Sequence, residues 1–181
     1  MAKKKEEERR EWILDDLSRH PIRGDILNKS MNKMCGHQYL LMGMATDPDW
    51  VRDMRDVYAT LTIALLEALF ASDGLPDGLW VWDDLGFKNR PFMAPAMYRE
   101  LIFPAHKRLF DFAHGRGLPV VLHSDGLVES LIPHLIEAGI DCLQPLEAKA
   151  GMDLVKIKKL YGERIALIGG GGVFRRVGWR W

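Results

Sequence analysis

Short apolar runs alternate with helical patterns along the second half of the chain, and this alternation limits the possible folds more than any other feature. In the clearest unit, residues 122–145, an apolar run ends in the polar sequence HSDG, a helical pattern follows, and a second apolar run carries Cys142. Helices between short apolar strands imply parallel strands joined by crossover connections. We therefore expect an α/β fold, and two architectures fit it: an open doubly wound sheet or a (β/α)8 barrel.

The bulk composition excludes several classes of protein. Lys+Arg and Asp+Glu both number 25, so no net charge draws the chain toward nucleic acid or an anionic membrane. Hydrophobic residues make up 48% of the chain, which excludes wholesale disorder. No apolar run approaches the ~20 residues needed to cross a bilayer, and the charged N-terminus lacks a signal peptide's apolar segment. The two cysteines form no CxxC motif, which favours a reducing compartment over a disulfide scaffold. Together these features lead us to expect a soluble, cytoplasmic protein without nucleic-acid or membrane partners.

The first part of the chain divides into a charged segment and one long helix. Residues 1–35 are interpreted as a charged N-terminal helix followed by a lead-in without a clear pattern. Thr46 or Asp47 caps a helix that has Pro48 in its first turn and runs to about Ser72. Its predicted apolar face consists of Val51, Met54, Val57, Leu61 and Leu65.

The remaining elements follow from apolar periodicity and from glycine and proline positions. Strands are predicted at 79–82, 119–122, 140–146 and 164–168. Helices are predicted at 95–114 with a kink at Pro104, at 127–138, and at 153–161 with Asp153 at the cap.

Each predicted strand ends in polar or glycine-rich sequence, and in a barrel these ends converge on one face. The candidate catalytic residues are Asp83, Asp84, His123 and Asp125. The candidate substrate-binding residues are Ser124, Gln144, Glu147, Lys149, Gly169 and Gly170. Together they predict a single polar pocket at the carboxyl ends of the strands.

The chemistry of these groups leaves alternatives open. Asp83 and Asp84 are neighbours on an extended chain, so at most one faces the pocket, and either carboxylate could instead cap a turn. His123 could act as an acid or base, donate to a substrate carboxylate, bind a metal, or be a structural imidazole. Ser124 is a poor nucleophile candidate because no G-x-S-x-G elbow surrounds it.

Two further features give weaker signals. Lys149 could bind a carboxylate or phosphate, or it could be a solvated loop lysine. The glycine run at 169–172 could approach an anion closely, but it lacks the Lys-Ser/Thr of a P-loop and the spacing of a dinucleotide fingerprint.

Seven segments in order resemble the uroporphyrinogen decarboxylase superfamily, which also contains cobamide-dependent methyltransferases. They are DDLG (83–86), PAMYRE (95–100), PAHKR (104–108), LHSDG (122–126), EAGID (137–141), QPL (144–146) and GMDL (151–154). The resemblance covers about residues 36–170. It implies a (β/α)8 barrel with its site at the carboxyl ends of the strands.

The chain also departs from that family's pattern. It has no match to the decarboxylases' arginine-rich substrate loop or C-terminal His segment, and it has His123-Ser124-Asp125 where the methyltransferases bind zinc through His-x-Cys. Its 181 residues fall short of the ~250 typical of such a barrel. We therefore expect a partial barrel at 36–172 and an aberrant tail at 173–181, in a truncated or frameshifted reading.

The resemblance implies three alternatives for function. A decarboxylase would act on tetrapyrrole acetate arms without a cofactor, using Asp83 or Asp84 with His123 or Asp125. A methyltransferase would use zinc and a corrinoid, with His123 as a metal ligand and a methyl donor as the small-molecule partner. A third alternative is a non-catalytic fragment. Open strand edges would make an incomplete barrel sticky or oligomeric, a homodimer included, and without turnover in isolation.

Overall fold

The computed structural model describes residues 22–25 and 28–169 and gives an α/β fold. The strands are β1 (Ile22–Asp25), β2 (Leu79–Trp82), β3 (Gly86–Phe87), β4 (Arg90–Pro91), β5 (Val120–His123), β6 (Cys142–Leu146) and β7 (Ala166–Gly169). The helices are α1 (Asn28–Cys35), α2 (His37–Thr46), α3 (Pro48–Asp73), α4 (Pro95–Leu101), α5 (Phe103–His114), α6 (Ile132–Ala138) and α7 (Leu154–Tyr161). Single 3-10 turns cover Glu129–Leu131 and Ala148–Ala150.

Five strands form one parallel sheet in the order β1-β2-β5-β6-β7, while β3 and β4 form a small antiparallel hairpin. Apart from the hairpin, each strand of the described chain lies beside the strand that precedes it. A doubly wound sheet reverses its strand order at a switch point, whereas a barrel proceeds in one direction. The order therefore favours the barrel.

The two faces of the sheet pack differently. Val81, Leu122 and Leu143 belong to the main core, which they share with the helices. The alternate residues Val121 and Cys142 belong to a separate small cluster, to which the strands alone contribute side chains. Because the described helices cover one face only, the sheet is consistent with part of a (β/α)8 barrel, and the predicted fold class is confirmed.

The long helix begins where the sequence predicts. The Asp47 carboxylate accepts a hydrogen bond from the Trp50 amide at 3.2 Å, and Pro48 lies in the first turn. An N-terminal side-chain acceptor satisfies an amide that has no partner within the helix. α3 then runs to Asp73.

The predicted apolar face of α3 is wrong beyond its first turns. Val57, Leu61 and Leu65 are 66%, 50% and 61% exposed. The buried positions are Val51, Arg55, Ala59 and Leu66. The predicted stripe leaves the buried face through its steps of three, from Val51 to Val57, which fall behind a helix of 3.6 residues per turn. The buried face continues from Val51 in steps of four, and α5 is among the helices that contact α3.

Prolines and caps divide the later helices. The predicted helix at 95–114 is two helices, α4 and α5, and Pro104 lies in the first turn of α5. Likewise, Pro133 lies in the first turn of α6, where a missing amide hydrogen is harmless. The Asp153 carboxylate accepts from the Lys156 amide at 3.0 Å, which confirms the predicted cap of α7.

Some predictions fall outside the described residues. These include the helix before residue 22, the glycines after residue 169 and the tail at 173–181. Within the predicted lead-in, the structure has β1 and α1, which the sequence did not reveal. Among the described helices, none combines the length and apolarity that crossing a membrane requires.

Candidate functional site

Three side chains at the carboxyl ends of neighbouring strands form a row. Trp82 of β2 lies opposite His123 of β5, which lies opposite Gln144 of β6. The Trp82 and His123 rings are 5.1 Å apart between centroids, and His123 Nδ1 is 2.5 Å from Gln144 Oε1. The row holds the imidazole between an aromatic ring and an amide.

Two carboxylates lie beside the other nitrogen of His123. His123 Nε2 is 3.7 Å from Asp84 Oδ1 and 3.4 Å from Asp125 Oδ2. One potential ligand atom from each residue lies within 4.8 Å of the other two. We call this group the Asp84–His123–Asp125 cluster, and it brings together three of the four predicted catalytic residues.

The hydrogen bond to Gln144 fixes which nitrogen of the His123 ring always carries a proton. An amide oxygen only accepts, so Nδ1 carries the proton that it donates. In neutral imidazole, Nε2 then presents a lone pair to Asp84 and Asp125; in the cation it presents a second proton. The His123 side chain is 17% exposed. Through Nε2 it can pass a proton to a bound molecule or bind a cation.

A lysine completes the charge arrangement around Asp84. Lys29 Nζ lies 3.3 Å from Asp84 Oδ2 and 4.9 Å from the centroid of a Trp82 ring. The Lys29 side chain is 26% exposed and that of Asp84 30%. One carboxylate oxygen of Asp84 therefore faces an ammonium, while the other faces the imidazole of His123.

The neighbouring carboxylate, Asp83, lies in a buried hydrogen-bond network of its own rather than in the cluster, and its predicted catalytic role stays a prediction. Asp83 is 0% exposed. It accepts from the Asn28 amide at 3.3 Å and the Lys29 amide at 2.7 Å, and its Oδ2 is 3.0 Å from His106 Nε2. His106 Nδ1 is 2.9 Å from the Tyr98 hydroxyl. Burial raises the pKa of Asp83, and the hydrogen bond with His106 opposes that rise.

Ser124 and Glu147, which are predicted to bind substrate, hold the loops through hydrogen bonds to backbone amides. Ser124 is fully buried, and its Oγ accepts from the Leu85 amide at 2.9 Å. Glu147 Oε2 accepts from the Gly126 amide at 2.9 Å. Hydroxyl and carboxylate acceptors therefore satisfy loop amides that no strand pairs with.

The loops after β2 and β5 cross in close contact. A Cβ added to Gly126 would lie 2.3 Å from the backbone of Gly86. The Leu127 amide donates to the Phe87 carbonyl at 2.8 Å, and the Asp125 amide donates to Asp84 Oδ1 at 3.1 Å. This crossing sets the separation of Asp84 and Asp125.

The remaining predicted site residues lie after β6, at the end of β7 or outside the described chain. Lys149 is exposed in the 3-10 turn after β6. Gly169 ends β7 with a positive φ of 113°, and a Cβ there would lie 2.6 Å from the Leu146 amide nitrogen. Its lack of a side chain therefore serves the close approach of β6 and β7. Gly170 lies outside the described residues.

Sequence reasoning missed Lys29, Asn28 and the buried pair His106 and Tyr98. No local pattern singles out His106, and Lys29 lies in the lead-in for which the sequence predicts no element. The bonds that join α1 to the end of β2 span 54 to 56 residues of sequence. No local pattern reports contacts of that range.

Comparison with known proteins places the chain at the level of a family. Neither curated proteins nor solved structures gave a match. The family model described as uroporphyrinogen decarboxylase (URO-D) matches residues 30–170, which include the Asp84–His123–Asp125 cluster. The match covers more than half of the chain, and the protein therefore belongs to the uroporphyrinogen decarboxylase (URO-D) family.

Proposed function

We propose that this chain carries the site of a uroporphyrinogen decarboxylase-like enzyme, which removes CO2 from acetate arms of a tetrapyrrole without a cofactor. The observation that supports it most is the placing of the Asp84 carboxylate beside the His123 imidazole at the carboxyl ends of parallel strands. Family membership supports the same class of chemistry.

The two side chains have separate roles in the proposed reaction. A proton added to a pyrrole carbon makes a cation, which the Asp84 carboxylate stabilises. The bond between the acetate carboxyl group and its CH2 carbon then breaks, CO2 leaves, and the electron pair passes toward the ring to give an exocyclic methylene. A proton added to that methylene makes the methyl group, and loss of the proton from the ring carbon restores the pyrrole. His123, when protonated on both ring nitrogens, delivers the proton that makes the methyl group, because its Nε2 lies beside Asp84 and Asp125 while Nδ1 is engaged by Gln144.

Binding of uroporphyrinogen tests the site directly. The purified chain is mixed anaerobically with uroporphyrinogen, and bound ligand is measured by ultrafiltration and oxidation to the fluorescent porphyrin. We expect Asp84→Asn to weaken binding about tenfold, because it removes charge-assisted acceptors for the pyrrole N–H groups. Asp111→Asn is the matched control, since Asp111 lies on α5 and pairs with Lys107.

Three results would count against the proposal or part of it. The proposed decarboxylase site would be refuted if the unchanged chain did not bind uroporphyrinogen, or if Asp84→Asn bound it equally well. We also propose that the isolated chain does not turn over, because the inner sheet residues Trp80 and Ile168 are only partly covered and a wet site weakens electrostatic stabilisation. Measurable CO2 release would contradict that second statement and leave the first intact.

Metal-dependent methyl transfer to or from a corrinoid is a second candidate, and the grouping of Asp84, His123 and Asp125 favours it. The donor set of two carboxylates and one imidazole fits zinc, although it lacks a thiolate. These three residues would hold the ion, and zinc there would activate the methyl acceptor or donor. His123 is already oriented for this by Gln144.

Metal analysis separates the two candidates. One zinc per purified chain, lost in His123→Ala and kept in the control His114→Ala on α5, would favour methyl transfer. A chain that holds no zinc and binds uroporphyrinogen supports the decarboxylase. Inertness in both experiments would leave the non-catalytic fragment as the remaining alternative.

We also propose that the protein works in the cytoplasm on a small molecule. The free thiols of Cys35 and Cys142 support a reducing compartment. Recovery of a stable disulfide-linked form from cells would contradict this location.

A further inference from the structure

The N-terminus of α1 is tied to the end of β2 by three hydrogen bonds. The Asn28 and Lys29 amides donate to the Asp83 carboxylate at 3.3 and 2.7 Å. Asn28 Nδ2 donates to the carbonyl of Asp84 at 2.8 Å. Asp83 thus acts as an N-terminal acceptor for α1 from a distant strand.

The Asp83 carboxylate is held rigidly from its other side. It is fully buried, and its Oδ2 lies 3.0 Å from His106 Nε2, while His106 Nδ1 lies 2.9 Å from the Tyr98 hydroxyl. Tyr98 and His106 are also 0% exposed. Such a fully engaged buried network has one preferred arrangement, because any other leaves a buried polar atom unpaired.

This attachment decides where the Lys29 ammonium lies. With the Lys29 amide fixed on Asp83, the side chain passes Trp82 at 4.9 Å and reaches Asp84 Oδ2 at 3.3 Å. The ammonium is therefore a built-in cation beside the cluster that offers ligands to an ion. A like charge within about 4–6 Å opposes binding of a second cation by tenfold or more.

We propose that Lys29 acts as the resident cation of the Asp84–His123–Asp125 cluster, that it keeps divalent metal ions out, and that Asp83 is the positioning residue that holds it there. Exclusion of metal ions would suit a decarboxylase that works without a cofactor, and its biological meaning rests on that proposed function. The exclusion of metal is a property of the folded chain and can be measured without any substrate.

Titration of the full chain with Zn2+ tests the proposal, with a competing chelator as the reporter. We expect Lys29→Met to bind Zn2+ at least about tenfold more tightly than the unchanged chain, and the gain to vanish in Lys29→Met/His123→Gln. Lys107→Met is the matched control, because it removes the same charge from α5, where Lys107 pairs with Asp111. Equal affinity in Lys29→Met and the unchanged chain would overturn the exclusion role.

The role of Asp83 has its own readout. Asp83→Asn should also tighten Zn2+ binding, because it releases α1 and the Lys29 ammonium. In the Lys29→Met background it should change Zn2+ affinity less than about twofold, since nothing remains to position. If Asp83→Asn does not fold, Asn28→Ala is used in its place, because it removes the Asn28 side-chain bond that attaches α1 to the end of β2. Its effect on Zn2+ affinity is then compared with and without Lys29→Met. An equal effect with and without Lys29 would refute the positioning role, and neither result depends on uroporphyrinogen binding.

Discussion

Replacing Gly126 by alanine is the sharpest perturbation that the loop crossing suggests. Gly126 has a φ of 84°, and an added Cβ would lie 2.3, 2.6 and 2.7 Å from backbone atoms of Gly86 and Phe87. Backbone atoms cannot rotate aside as a side chain can. Gly117 offers a matched control, since its φ is 72° and a Cβ there would meet nothing within 4 Å.

The two substitutions share one cost and differ in another. A positive φ costs alanine about 1 kcal/mol relative to glycine, and both variants incur it. Overpacking against fixed neighbours adds about 1–3 kcal/mol at Gly126 alone. We therefore expect Gly126→Ala to lower the free energy of unfolding by about 2–4 kcal/mol, and Gly117→Ala by about 1 kcal/mol.

Urea unfolding followed by far-UV circular dichroism measures both free energies. The two variants should also differ at the site, because the crossing sets the separation of Asp84 and Asp125. Equal destabilisation by Gly126→Ala and Gly117→Ala would refute the close crossing of the two loops. A large loss of stability in Gly117→Ala would refute the magnitude assigned to the positive φ.

Three further outcomes follow from burial. Leu66→Ala should lower the free energy of unfolding by about 2–4 kcal/mol and Leu65→Ala by less than about 1 kcal/mol, because these neighbours are 7% and 61% exposed; equal losses would contradict the buried face of α3. Burial raises the pKa of Asp83 above 3.8, so the folded chain keeps the carboxyl proton to a higher pH than the unfolded chain does. The contribution of Asp83 to the free energy of unfolding should therefore fall as pH rises from about 4 through the folded pKa. Acid titrations measure it as the difference between the unchanged chain and Asp83→Asn, and a rise with pH would contradict the expectation. Burial raises the pKa of Cys142 to about 12, so iodoacetamide at pH 8 should label Cys35 and spare Cys142 in mass spectra of the folded chain, and equal labelling would refute this.

Local patterns predicted most of the second half of the chain. The strands β2, β5, β6 and β7 and the caps at Asp47 and Asp153 follow from short apolar runs, turn residues and side-chain acceptors that lie close together in sequence. The meeting of Asp84 with His123 was also predictable, because parallel strands bring their carboxyl ends to one edge.

What the sequence could not predict depends on distant contacts. The choice between Asp83 and Asp84 required the position of α1 and of His106, which approach β2 only in the folded chain. The role of Lys29 required the same approach. The buried face of α3 depends on the neighbouring helices as well as on its own apolar residues, so the apolar periodicity alone predicted the wrong face.

Magnetic resonance of the His123 ring tests the central claim, which is that side chains at the carboxyl ends of β2 and β5 meet at one edge of the sheet. Ring nitrogen and proton shifts of His123 are recorded in the unchanged chain, Asp84→Asn, Asp125→Asn and the remote control Asp111→Asn, and His123→Gln identifies the signal. With Nε2 at 3.7 and 3.4 Å from the two carboxylates, we predict that Asp84→Asn and Asp125→Asn each shift the His123 ring signals and that Asp111→Asn does not. Ring signals that stay unchanged in both cluster variants would contradict the account.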